Sequence, residues 1–175
     1  MDAMLVVDMQ VGLLNGDPKH DLHGVIERIN RVAAKVREQS GTVILVQHCG
    51  CKGDDFEPQT PGWAFLPELL RDPADVVVRK SLNDPFAGTD LSARLREIAP
   101  DRLLITGWAT DLCVDTTVRS AVENHHDVVV VADGHTLSDR PHLDAVSVIR
   151  HHHWVWSHLI TQKSVRLAVA DELLL

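Results

Sequence analysis

The chain has 175 residues, with 17 Lys and Arg against 25 Asp and Glu for a formal charge of −8, and 45% of its residues are hydrophobic. That length fits one domain, residues 1–175, and the apolar share suffices for a core, which sets aside disorder, collagen-like repeats and disulfide scaffolds. The acidic balance, with no cluster of Lys and Arg, gives no positive face for nucleic acid or an anionic membrane, and no apolar run approaches the ~20 residues of a membrane helix.

The first segment, Ala3-Met4-Leu5-Val6-Val7-Asp8, is almost unbroken in apolar residues and reads as a strand buried on both faces. Leu22, Val25, Ile26, Ile29, Val32, Ala33 and Val36 recur at spacings of three and four, a helical stripe closed by Ser40-Gly41. Val43 to Val46 is a second strand. Cys49 to Asp75 is rich in glycine and proline, a loop long enough to be expected as a pocket wall. Val76 to Val78 is a third strand, followed by a helix from Thr89 or Asp90 to Ile98. Leu103 to Ile105 is a fourth, and Val114, Thr117, Val118, Ala121 and Val122 mark the next helix. After the strand Val128 to Val131, a last helix is predicted from Leu143 through Val146, Ile149, His153 and Trp156 to Ile160, then a strand over Val165 to Val169. Buried strands alternating with amphipathic helices predict a three-layer α/β domain around a parallel sheet.

Open parallel sheets bind ligands outside the carboxyl ends of their strands. Those ends carry Asp8, then Gln47 and His48, then Arg79 and Lys80, then Gly107 to Thr110 leading into Cys113, then Asp133. With Thr110 as helix cap, Cys113 would be the third helical residue, where the helix dipole and free amides lower a thiol pKa and favour the thiolate. Position alone leaves two readings, a nucleophile or a buried structural cysteine. Taken singly, Asp8 reads as a chain turn and Lys80 as a solvated lysine.

Three ordered stretches change this balance: VVDMQ at the first strand, RKSLNDPFAGTDL after the third, and ITGWATDLCVDTTVRSAVE around the cysteine. With VADGHTLSDRPH and HHHWVWSHL, they resemble the isochorismatase-like cysteine hydrolases, which include nicotinamidases and carbamoylsarcosine amidohydrolases. The resemblance implies a Rossmann-like α/β/α fold with six parallel strands and a catalytic triad of Asp8 as general base, Lys80 as charge stabiliser and Cys113 as nucleophile. It also implies a cis peptide between Trp108 and Ala109, with the Ala109 and Cys113 amides aimed at an oxyanion. The expected activity is hydrolysis of a small molecule's C–N bond, amide or ureido, through a Cys113 thioester. Two alternatives stay open: vinyl ether hydrolysis as by isochorismatase itself, which needs no thiol, and a redox or binding role for the cysteine, which would leave Asp8 and Lys80 unexplained.

Nicotinamidases of this family carry an Asp-x-His metal pair after the second strand. Here that position reads Gln47-His48-Cys49, so no metal or other cofactor is expected. His48 either contacts substrate or is satisfied by the loop. Trp63, Phe86 and Trp108 flank the motifs and either line the pocket or fill the core. Of His151, His152 and His153, only His153 shares the apolar stripe, as a core or interface residue. Trp154 and Trp156 cannot face the same side of one helix, so one is expected at the surface. That surface and the family's habit imply a homodimer or homotetramer. Three cysteines cannot all pair, and with no secretory-signal pattern at the N-terminus a reducing compartment, the cytoplasm, is expected.

Overall fold

Six strands form in a computed structural model that describes residues 1–175: β1 (Asp2–Val7), β2 (Thr42–His48), β3 (Val76–Lys80), β4 (Arg102–Trp108), β5 (Val128–Thr136) and β6 (Val165–Ala168). All pair in parallel, in the order β3-β2-β1-β4-β5-β6. The apolar runs become buried strands because both faces are covered. From β1, Met4 and Val6 pack beneath α2 (Leu22–Glu38), while Ala3, Leu5 and Val7 pack beneath α3 (Leu91–Ile98), α4 (Asp115–Glu123) and α5 (Ala145–Ser157). The helical stripe of α2 is buried at each position the spacing selects from Val25 to Val36. Two single-turn helices, α1 (Val11–Leu14) and α6 (Ala170–Leu173), complete the chain. No helix is long and apolar enough to cross a membrane.

Three expected boundaries move: β5 runs past Val131 to Thr136, so Asp133 lies within the strand and not at its carboxyl end, and the last long helix shifts at both ends. The last long helix does not start at Leu143 or reach Ile160. The Asp144 carboxylate accepts from the Ser147 amide and caps the helix, leaving Leu143 ahead of it, and Ile160 lies past the last turn, fully exposed. Of the two tryptophans, Trp156 is buried and donates from Nε1 to Asp115 (2.8 Å), while Trp154 is 61% exposed and stacks on His158. The loop after β2 contains one 3₁₀ turn, Pro61–Trp63.

Strand order reverses between β1 and β4, so the crevice above their carboxyl ends is the topological switch point. Gly107 shapes it. Its φ is 121°, and a Cβ there would stand 2.1 Å from the Val7 carbonyl oxygen, on the neighbouring backbone. Only glycine lets the two strands approach at this register. Gly107→Ala is therefore expected to cost about 3 kcal/mol or more in chemical unfolding. A loss under 1 kcal/mol would contradict this close approach.

Candidate active site

Asp8 follows β1 directly. Its amide still pairs with the Val46 carbonyl, but its φ of 54° turns the chain out of the strand. Aspartate is among the few side chains that tolerate this left-handed region. Gln10 fixes what comes next: Nε2 donates to the carbonyls of His48 (3.0 Å) and Trp63 (2.9 Å), and Oε1 accepts from the His48 amide (2.7 Å). The long loop is thereby tied to the end of β1.

Lys80 ends β3 in register with His48, so both side chains leave the sheet on one face. It reaches past β2 to β1. An ammonium has three protons, and each finds an acceptor: Asp8 Oδ2 at 2.7 Å, the Leu82 carbonyl at 3.0 Å and Cys113 Sγ at 3.3 Å. The Cys113 thiol in turn donates to Asn83 Oδ1 at 3.7 Å. Asp8 Oδ1 is buried and has no hydrogen-bond partner. Asp8 and Lys80 are 1% and 2% exposed and Cys113 is 7% exposed, and desolvation is the largest influence on the protonation of Asp8 and Cys113.

That dryness reverses one expectation. Burial, followed by the charge of Asp8, pushes the Cys113 thiol up to about 12, and Lys80 does not offset it. Burial likewise raises the Asp8 carboxyl above its usual range against the pull of Lys80. The resting site holds a thiol, not a preformed thiolate. The supposed cap is also corrected. Residues Thr110–Val114 form a π-helical turn ahead of α4, closed by the Val114 amide on the Ala109 carbonyl (3.1 Å), with no side-chain cap. The Thr110 hydroxyl faces inward and pairs with Nδ1 of His135 at 2.9 Å. The Trp108–Ala109 peptide ahead of this turn is cis.

His135 is buried without a charged partner, and burial, followed by His153, depresses its pKa to about 3. Its folded value lies below the unfolded value of about 6.5, so the unfolded chain takes up this proton first as pH falls. Stability present above pH 6.5 is lost on acidification, by about 2 kcal/mol between pH 7 and pH 5 from this group alone. Urea unfolding at the two pH values should show His135→Asn less acid-sensitive than the wild type by that amount. Equal sensitivity would contradict it.

The structure thus brings Asp8, Lys80 and Cys113 into hydrogen-bonding reach and sets His48 beside them. The His48 ring packs edge-on against Phe56, and burial and Lys80 lower its pKa, so it is neutral. Trp63 and Phe86 are held by neighbours outside the triplet, although Phe86 packs against the same core cluster as Cys113. The Trp63 indole donates to Cys49 Sγ (3.4 Å) and lies under Arg79, whose side chain leaves β3 opposite to Lys80. Phe86 packs on the core with its ring toward His126, just before β5. Trp108 is half-buried between two core clusters, its indole N–H buried and unpartnered. Asn83, the Leu82 carbonyl, Gln10 and the Thr110–His135 pair were not singled out by sequence reasoning. Asn83 and Gln10 do lie inside the quoted RKSLNDPF and VVDMQ stretches. No three His, Cys, Asp or Glu side chains gather as a metal shell.

A parallel α/β sheet with an acid, a lysine and a cysteine converging at its switch point defines the architecture of a hydrolase class. Residues 2–157 match the isochorismatase domain, and the chain belongs to the isochorismatase family of hydrolases. It is 33% identical over 81% of its length to a streptothricin hydrolase of Streptomyces noursei, of which it covers 51%. It is 28% identical over 75% of its length to the ureidoacrylate amidohydrolase RutB of Methylorubrum extorquens, covering 68% of that protein. The crystal structure of an isochorismatase family protein superposes with a TM-score of 0.86 at 27% identity, over 95% of this chain and 97% of the other. The chain spans only about half the length of the streptothricin hydrolase it matches.

Proposed function

We propose that the protein hydrolyses a C–N bond, amide or ureido, of a small molecule through a thioester on Cys113. The observation that carries this reading is the buried triplet in which Lys80 Nζ bonds both Asp8 Oδ2 and Cys113 Sγ while Asp8 Oδ1 is left free. The relatives named as a streptothricin hydrolase and a ureidoacrylate amidohydrolase support a hydrolase reading, the second of them the amide bond class.

With the thiol held at about 12, attack and deprotonation occur together. Sγ adds to the carbonyl carbon as its proton passes to the free oxygen of Asp8, a better base for its raised pKa. Lys80 stays bonded to the other carboxylate oxygen and to sulfur, balancing the negative charge that moves between them. The Ala109 amide, which has no partner in the chain, and that of Cys113 receive the oxyanion. Asp8 then returns the proton to the leaving nitrogen, ammonia or an amine departs, and Asp8 activates the water that opens the thioester. Asn83 beside the thiol and neutral His48 supply hydrogen bonds to the substrate.

The test is ammonia or amine release from a panel of small carboxamides and ureido compounds, run beside a vinyl ether. Turnover of an amide or ureido compound is expected. Turnover of the vinyl ether alone would favour the isochorismatase reaction, in which Cys113 has no task.

A further inference from the structure

Beyond the triplet, a second string of polar side chains reaches the cysteine-bearing turn from the opposite side. Thr110 Oγ1 meets His135 Nδ1 at 2.9 Å, and His135 Nε2 meets Nε2 of His153, on half-buried α5, at 3.1 Å. Thr110 and His135 are 0% and 2% exposed, so water cannot substitute for either partner. Neither nitrogen–nitrogen nor nitrogen–hydroxyl contact can hold two protons. Fixing the proton at one end therefore fixes the direction of both hydrogen bonds.

We propose that His153 sets the tautomer of the buried His135, and through it the direction of the Thr110 hydroxyl, making His135 a positioning residue for the turn that carries Cys113. With His153 neutral and its one proton on Nδ1, its Nε2 is an acceptor toward His135. His135 then donates from Nε2, accepts at Nδ1, and the Thr110 hydroxyl donates inward. When His153 gains a proton from solvent, its Nε2 becomes a donor. His135 keeps a single proton but carries it on Nδ1, and Thr110 becomes the acceptor, its own hydrogen turned toward the turn. One proton enters, and all of the added charge resides on His153.

His135 responds by tautomer and not by charge because burial holds its pKa near 3. His153 titrates below the ordinary histidine value, since burial outweighs the acceptor carbonyl of Ala132 and the charge of Asp133 on β5. Asp133 is itself within 3.5 Å of Arg28 on α2, which also pairs with Asp21, in a recess that His20 lines. On α5, His152 opposes a proton on both rings, and the Asp111–Arg140 pair stands near His152. The Trp156 indole is committed to Asp115 and closes the remaining side.

The structural part of this proposal stands alone, while its effect on rate rests on the proposed amide hydrolysis. Nitrogen-15 NMR of histidine-labelled wild-type protein reads the tautomer directly. The Nε2–H form of His135 is expected at pH 8, passing to Nδ1–H with the midpoint at which His153 titrates, and no such passage in His153→Leu. A His135 tautomer that stays unchanged while His153 titrates would overturn the proposal, and wild-type protein alone decides this. On any amide the enzyme turns over, the acid limb of log kcat/KM should be steeper than one proton in the wild type and one-proton in His153→Leu. An equally steep limb in the variant would overturn the positioning role. Absence of turnover on every amide would count against the proposed function and leave the NMR result to judge the relay.

Discussion

Cys113→Ala is expected to lower kcat for the hydrolysed amide by about 10⁴ or more, because the alternative, direct attack by water, must proceed without a covalent intermediate. Stability should change by less than about 1 kcal/mol, since the substitution removes one sulfur atom from a small buried side chain. Cys113→Ser should be nearly as inactive. The site already holds a thiol far above neutrality, and an alcohol is harder still for Asp8 to deprotonate. Because the base form of Asp8 is needed, kcat/KM should rise with pH through a midpoint above the ordinary aspartate value of about 3.9. A midpoint at or below that value would contradict the burial that raises this group.

Lys80→Met is expected to affect both rate and stability. Without the ammonium, Asp8 loses its one partnered oxygen in a site where desolvation already raises its pKa, and it takes up a proton at neutral pH. The base is then absent, and kcat should fall by about 10³. Breaking a buried ion pair from one side costs about 3 kcal/mol. Adding Asp8→Asn to Lys80→Met should recover most of that stability and none of the activity, since no buried carboxyl then has to be protonated on folding. Lys80→Arg should not restore activity, because a planar guanidinium cannot serve Asp8, the Leu82 carbonyl and Cys113 from one nitrogen. Unfolding curves and steady-state rates on the three variants check these outcomes together.

The parallel α/β fold was legible because each strand is an apolar run and each long helix carries a spaced stripe. Both patterns are imposed by burial on two faces and on one. Strand ends, where such a sheet places its ligands, drew attention to Asp8, Lys80 and Cys113, but their roles came only from the resemblance of their motifs to a hydrolase family. Other features were not legible because they depend on distance and burial. Thr110 looked like a cap from its place before a helix, yet its hydroxyl is claimed by His135, 25 residues later. The helix dipole argued for a thiolate, and the closure of the site against water decided for the thiol. The partners of Trp63 and Phe86, Arg79 and His126, are distant in sequence from them or set by loop packing, which no spacing rule reveals. Asn83 had no periodic or compositional signal beyond its place in the RKSLNDPF stretch, and its 3.7 Å approach to Cys113 Sγ marks it out there.

The most direct measurement is the mass of intact protein quenched in acid within the first turnovers on an amide that it hydrolyses. An adduct equal to the substrate less its leaving amine, located on Cys113 by peptide mapping and absent from Cys113→Ala, is the predicted result. Turnover with no adduct at Cys113, and with Cys113→Ala hydrolysing the same amide at the wild-type rate, would contradict the account.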